Sequence, residues 1–177
     1  MPLIKNGAII ADPYVTVSDE ASLPEGAPVI VTAARLLANA ADILTRDAPV
    51  GVIWPNSKNV ADLAPFLGRL AAVALLFPTF KDGRAYSQAR LLRERYGFRG
   101  ELRATGQILR DQFVFLVRAG FDALDVAKPG DADAFATALA RYTVFYQPIG
   151  EGRTPASRLR AKKALELRVA SPACAGG

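Results

Sequence analysis

The sequence has no histidine, and only one cysteine, one methionine and one tryptophan among 177 residues. Without imidazole there is no Ser-His-Asp triad, no Cys-His pair, no histidine base and no histidine metal ligand. With the single thiol of Cys174 there is no cysteine-rich zinc site, no redox Cys-x-x-Cys, no self-contained iron–sulfur cluster and no intramolecular disulfide. Long apolar runs are also missing. The longest, Leu70–Phe77 (LAAVALLF), falls well short of the roughly 18 residues that span a bilayer and suits a buried strand. Met1–Ala11 (MPLIKNGAIIA) lacks the charged start, continuous apolar stretch and cleavage site of a secretory signal. The expectation is a cytoplasmic protein with no membrane segment, metal or resident cofactor. Any catalysis falls to carboxylates, Lys, Arg, Tyr, hydroxyls or a borrowed group.

What is present is a core. Apolar residues make up 51% of the chain, which excludes global disorder. The length suits one α/β domain able to bury roughly 70% of its unfolded surface. Short β-type runs at Val29–Val31, Val50–Trp54, Val73–Phe77, Glu101–Ala104 and Phe121–Val126 alternate with helical patterns. Those patterns cover Ala33–Arg46, Val60–Leu70, Ala85–Tyr96 and Gln107–Arg118, with another from Asp131. Strand followed by helix, about five times over, predicts a mainly parallel sheet of about five strands. Both a partial-barrel arc and a doubly wound sheet satisfy the spacing.

The helical patterns carry faces. Ala33, Leu36, Leu37, Ala40, Ala41 and Leu44 form one apolar side of the first; Ala85, Ala89, Leu92 and Tyr96 form that of the third. Pro65 interrupts the second and predicts a kink or restart. Gly97-Phe98 and Gly120-Phe121 read as left-handed caps at two similar helix-to-strand corners. Upstream, Leu3–Ile10 and Tyr14–Val17 flank Asp12-Pro13 and predict a hairpin or edge pair. The domain is drawn at 1–147, followed by a basic tail at 148–177 that is either mobile or a short helix around Ser157–Arg168. Tyr142, Phe145 and Tyr146 read as core or interface.

The net charge of +5 is uneven: −2 over residues 1–80, +5 over 81–120, −2 over 121–150 and +4 beyond. Such a field either steers an acidic partner, collects an anion or is a solvated helix face. Nucleic-acid binding is disfavoured, because no zinc finger, RRM-like aromatic strand or KH-type loop is present.

Loops after parallel strands gather at the carboxyl edge, where ligands bind. There Lys81 and Arg84 flank the Asp82-Gly83 turn into a helix, and Arg103 leaves the next strand with a two-pronged donor. With Asp82, Thr105 and Gln107 they form the candidate anion or partner site; Asn56, Glu101, Gln112 and Asp125 are secondary candidates. The plainer reading is that Asp82 caps the helix while Lys81 and Arg84 solvate the rim. Glu101 and Arg103 share one strand face, where they pair within the sheet layer or serve as base and clamp. Gln112 falls among apolar positions, so it should point at the sheet and tie the helix to a loop or reach the pocket.

The stretch Phe77–Val126 resembles a family of bacterial domains of unknown function whose members carry the label of oxidoreductases involved in sulfite reduction. Phe80-Lys81-Asp82-Gly83-Arg84, Tyr86-Ser87, Ala89–Gly97, Gly100–Arg103, Leu109–Gln112 and Gly120–Ala123 carry the likeness, which begins near Val50 and fades after Tyr146. The resemblance implies a gene near those of sulfite reductase and sulfate assimilation, and brings no catalytic residues. A sulfite reductase catalytic subunit needs several cysteines, so this chain is not that subunit. The expectation is an accessory protein that binds sulfite reductase, its acidic ferredoxin-like donor or a small oxyanion. The alternative is an enzyme acting on a small anionic metabolite, with Lys81, Arg84 and Arg103 binding and Glu101 or Asp125 as acid or base.

Overall fold

The computed structural model describes residues 3–5, 8–125, 130–141 and 156–170. Along the chain run β1 (Leu3–Lys5), β2 (Ala8–Ile10), β3 (Val15–Thr16), β4 (Val29–Thr32), α1 (Ala33–Leu44), β5 (Val50–Pro55) and β6 (Ala72–Phe77). There follow α2 (Arg84–Arg90), β7 (Glu101–Gly106), α3 (Phe113–Ala119), β8 (Ala123–Asp125), α4 (Asp131–Arg141) and α5 (Ala156–Ala170). The eight strands form one sheet in the order β2-β1-β8-β7-β6-β5-β4-β3. From β3 to β8 every neighbouring pair is parallel; β1 is antiparallel to both β8 and β2.

The five strands expected from the middle of the chain are all there, but the described residues form eight. The additional three come from the first 16 residues, where the expected edge pair is instead a β1–β2 hairpin at one edge and β3 at the other. This split forces the sheet to curl. Only Ala11–Tyr14 lies between β2 and β3, a reach of at most about 18 Å. Eight strands laid flat at about 4.8 Å spacing would separate those edges by about 34 Å. The result is a half-barrel strapped across its open side by residues 11–14. Strands β4 to β8 keep sequence order with no reversal, so the arc is the alternative realised and the doubly wound sheet is not.

Side chains alternate across the sheet. Val29, Val31, Val52, Trp54, Val73, Leu75, Phe77, Leu102, Ala104 and Leu124 join the core with Leu36, Ile43, Ala85, Ala89, Leu92, Phe113 and Leu116 from the helices. The other, concave face carries Ile30, Ala72, Ala74 and Ala123, buried but outside that core, together with Lys5, Glu101, Arg103, Thr105 and Asp125.

Three helical expectations are corrected. Over Val60–Leu70 there is no α-helix: a 3-10 turn, Val60–Leu63, is followed by further three-residue turns such as Phe66 N–H to Leu63 O at 2.9 Å. Pro65 has no N–H for an α-helical bond to Ala61, so the tighter pattern wins. Helix α1 is capped by Thr32 Oγ1, which accepts from the Arg35 N–H at 3.1 Å, and it breaks helical geometry at Asn39. Ile43 is buried with Ala33 and Leu36, whose face it shares, while Leu37 and Ala41, expected on the apolar side, are exposed. The pattern read over Gln107–Arg118 becomes helical only at Arg110, because the Gln107 N–H is held at 2.8 Å by the Phe77 carbonyl.

The two Gly-Phe corners form as expected, with φ of +62° at Gly97 and +103° at Gly120. One side chain ties them together. Arg93, set in the π-helical turn Leu91–Arg95 after α2, donates to the carbonyls of Gly120 (2.9 Å), Phe98 (2.7 Å) and Gly100 (2.9 Å) and pairs with Asp122. The boundary at 147/148, Tyr142, Phe145, Tyr146 and Cys174 lie outside the described residues. The basic tail does contain a helix, α5. No helix among the described residues is long and apolar enough to cross a membrane.

Candidate functional site: the charged concave face

Arg103 stands at the centre of the concave face with its side chain 3% exposed. Strand alternation puts it there: Leu102 and Ala104 face the helices, so Glu101, Arg103 and Thr105 face inward. Its fork is engaged on two sides. Nη1 and Nη2 donate to the two Asp12 oxygens at 2.6 and 2.9 Å; Nε and Nη2 donate to Glu101 Oε1 at 3.1 and 2.9 Å. Glu101 takes a further bond from Lys5 Nζ at 2.7 Å. Tyr14 lays its ring 5.5 Å from the guanidinium. The strap is therefore pinned to the middle of the sheet by a residue 91 positions away in sequence.

Each ionisation follows from these contacts. Burial would lower the Arg103 value, but its bonds to Asp12 and Glu101 outweigh that and push it up. Burial would raise Asp12; the Arg103 bonds and the Tyr14 N–H overcome it and hold the carboxyl below its usual value. Lys5 is raised, chiefly by its bond to Glu101. Asp125 differs. Burial pushes its carboxyl up, against a Thr105 hydrogen bond and the field of Arg103, whose Nη1 lies 3.6 Å away.

Between the strap and the sheet lies a pocket of about 280 Å³ lined by Asp12, Thr16, Ile30, Ile53, Ala74, Arg103, Thr105 and Asp125. It spans the middle of the sheet, at Ile53, Ala74 and Arg103, and reaches Thr105 and Asp125 near the carboxyl ends of β7 and β8. One wall is apolar (Ile30, Ile53, Ala74) and the other is polar. Asp125 is the pocket's adjustable group: a carboxyl raised by burial in contact with a cavity can give or take a proton.

The sequence candidates divide into two places. Arg103, Thr105 and Asp125 converge on the pocket, with Glu101 behind Arg103. Lys81, Asp82, Arg84 and Gln107 do not line it. Arg84 folds back on Asp82, its Nη2 2.6 Å from Oδ2 and its N–H 3.2 Å from Oδ1, and this pairing holds the Asp82 carboxyl well below its usual range. Lys81 Nζ lies 5.6 Å over its neighbour Phe80. Gln107 is exposed, and Asn56 is buried just past the end of β5. Gln112 does not enter the sheet layer: its Nε2 donates to the Phe80 carbonyl at 2.9 Å and its Oε1 accepts from the Leu109 N–H, tying helix to loop as one expectation had it.

Asp12, Lys5, Tyr14 and Thr16 were missed. Asp12-Pro13 between two short β runs marks a turn, but nothing local announces a partner 91 residues on. The basic block is also quieter than its count of charges suggests. Arg84, Arg90, Arg93, Arg103 and Arg110 each pair with a carboxylate.

The fold and site define an open α/β half-barrel with an ion-paired interior and a small mixed-polarity pocket on its concave face. Residues 51–157 match the family described as bacterial protein of unknown function (DUF934), and the chain belongs to that family. No curated protein matches the chain.

Proposed function

We propose that the chain binds a small metabolite in the concave pocket and exchanges a proton with it through Asp125, with Arg103 as the fixed positive neighbour. The convergence of Arg103, Thr105 and Asp125 on one cavity, opposite an apolar wall, carries this reading. Binding groups and acid/base lie on adjacent strands β7 and β8, so the geometry is held by the sheet instead of by loops. A panel of amines, carboxylates, phosphate, sulfate, sulfite and polyols tests it by thermal shift. At least one class should raise the melting temperature of the native chain but not of Ala74→Leu, which fills the pocket. In D2O, the stabilising compound should acquire deuterium at a carbon-bound position with the native chain and not with Asp125→Asn. If no class stabilises the native chain, the reading is wrong.

A second reading has its own support. The resemblance to proteins labelled for sulfite reduction suggests an accessory role in the cytoplasm, docking on sulfite reductase or its acidic donor. On the outer side of α2, Ser87, Arg90, Leu91, Glu94 and Arg95 line a groove of about 440 Å³. Arg95 stacks 5.7 Å over Tyr96, and Leu91 and Phe80 stand exposed nearby in the chain. Electrostatic docking weakens with salt. A pull-down with sulfite reductase and ferredoxin at low and high ionic strength decides it; capture at neither ends the docking reading.

A further inference from the structure

The substrate class of the pocket follows from two polar groups that stand side by side there without bonding each other, given the pocket reading above. A guanidinium carries five N–H donors. Arg103 spends four of them: Nε on Glu101, Nη2 on Asp12 and Glu101, and one of the Nη1 pair on Asp12. Among the described residues nothing takes the second Nη1 N–H. Asp125 Oδ1 stands 3.6 Å from Nη1, too far for a hydrogen bond. Both residues line the cavity, and neighbouring strands β7 and β8 fix their spacing.

One wall therefore offers a fixed cationic donor beside a carboxyl group. Asp12 and Glu101 are poorer bases than Asp125, because both are bonded to Arg103, and Glu101 to Lys5 as well. Burial, helped by the charge of Asp12, raises the Asp125 carboxyl against the Thr105 hydrogen bond and the fields of Arg103 and the N-terminal amine.

A ketone matches this pair. Its oxygen accepts and carries no proton, which suits the spare N–H, and the carbon beside the carbonyl holds hydrogens that a base can remove. Bonds of about 1.23 and 1.52 Å place that carbon about 2.4 Å from the oxygen, so the two fit across the 3.6 Å between Nη1 and Oδ1. An ammonium ion has no acceptor for the Arg103 N–H. A carboxylate or sulfite brings a further negative charge against Asp125 and Asp12. The facing wall of Ile30, Ile53 and Ala74 suits an alkyl body, and a volume of about 280 Å³, that of roughly nine waters, admits a small molecule and not a nucleotide.

We infer that the concave pocket takes a small aliphatic ketone, its oxygen on the spare Nη1 N–H of Arg103 and its alkyl body against Ile30, Ile53 and Ala74, and that Asp125 moves a proton on the carbon beside the carbonyl. In the forward step that C–H bond breaks and the proton goes to Asp125. The electron pair forms a carbon–carbon double bond, and the carbonyl π pair settles on oxygen as an enolate facing Arg103. Return of the proton from Asp125 to carbon restores ketone and carboxylate, so no oxidant, reductant or further reactant is consumed.

The test adds butanone to the compound classes named above. In the full chain it follows the methyl NMR signals of Ile30, Ile53 and Ala74, alongside deuterium uptake by butanone in D2O. Butanone should give saturable shifts, and butylammonium, butyrate and sulfite should bind about tenfold more weakly or worse. The butanone hydrogens beside the carbonyl should exchange faster with the native chain than in buffer, and those of the far methyl should not. Asp125→Asn keeps the side-chain shape, so it should retain the butanone shifts and slow exchange by about a hundredfold or more. Ala74→Leu, which fills the pocket, should abolish the Ile30 and Ile53 shifts and the exchange together. Butanone that binds no tighter than butylammonium, binds without exchange, or exchanges undiminished with Asp125→Asn overturns the inference. If one of the other classes moves these methyls and butanone does not, the ketone falls and the pocket reading stands. If neither butanone nor any of those classes moves them, both fall.

Discussion

Replacing Arg103 with methionine removes the centre of the interior network and leaves its carboxylates behind. Four hydrogen bonds are lost, two to Asp12 and two to Glu101. The consequences differ by partner. Asp12, 24% exposed, can be partly rehydrated. Glu101, 5% exposed, cannot, although Lys5 still holds its other oxygen. Removing one member of a buried ion pair costs about 3–5 kcal/mol, and the surviving Lys5 contact places Arg103→Met near the lower figure. With a urea dependence of about 2 kcal/mol per molar, that is a fall of about 1.5 M in the unfolding midpoint at pH 7. The pH dependence supplies a second check. Asp12 is held below its usual value by Arg103 in the native chain, so its contribution is present above the unfolded carboxylate value and disappears as pH falls through the folded one. The gap between native chain and variant should therefore narrow on acidification. A loss below about 1 kcal/mol at pH 7, or a gap that widens in acid, would refute the claim that Arg103 holds the strap and sheet together.

Other expectations concern corners and protons. Arg93→Ala should cost about 3 kcal/mol, as charge-assisted bonds to three carbonyls and Asp122 vanish; hydrogen exchange at Leu102, whose N–H is held by Asp122, should accelerate. Gly120→Ala should cost more than Gly97→Ala: both have positive φ, but a Cβ at 120 would lie 2.7 Å from Arg93 Cγ, whereas at 97 nothing stands within 4 Å. That difference should shrink in an Arg93→Ala background; if it persists, the clash is not its source. Asp125→Asn should raise the melting temperature at pH 7, because burial raises the native carboxyl and penalises its ionised form. The gain should fade as pH drops through that raised value toward the unfolded one, and a constant difference between pH 7 and pH 4 refutes the assignment.

How much of this was legible in the sequence varies with the range of the interaction. The five central strands were readable because apolar runs such as Val50–Trp54 and Val73–Phe77 are bounded by turn residues. The glycine corners were readable because a left-handed cap depends on one residue and its neighbours. Glu101 and Arg103 were read as sharing a face because strand alternation has period two, and they do pair. The second helix failed because Pro65 removes a donor that apolar periodicity ignores. Leu37 was misplaced because the buried stripe of α1 runs Ala33, Leu36, Ile43, at three- and seven-residue spacing, and Leu37 lies one position off it.

The site was half legible. Arg103, Thr105 and Asp125 lie on adjacent parallel strands, and the rule that ligands gather at carboxyl ends finds them. Lys81 and Arg84 obey the same rule, yet Arg84 turns back to Asp82 and Lys81 to Phe80. Asp12, Lys5 and Tyr14 obeyed no rule available before the fold, since each meets β7 across some 90 residues of chain.

The sequence by itself determined the local grammar: which segments extend, where two helices end, and that it holds no histidine and no second thiol to pair with Cys174. Tertiary structure alone decided that the first 16 residues divide between the two edges of one sheet. That division curls the sheet, because four residues cannot span a flat one, and it carries Asp12 to Arg103. The pocket exists only through this long-range closure. No local pattern encodes it, since the contacts that hold it pair charges that are neighbours in space and strangers in sequence.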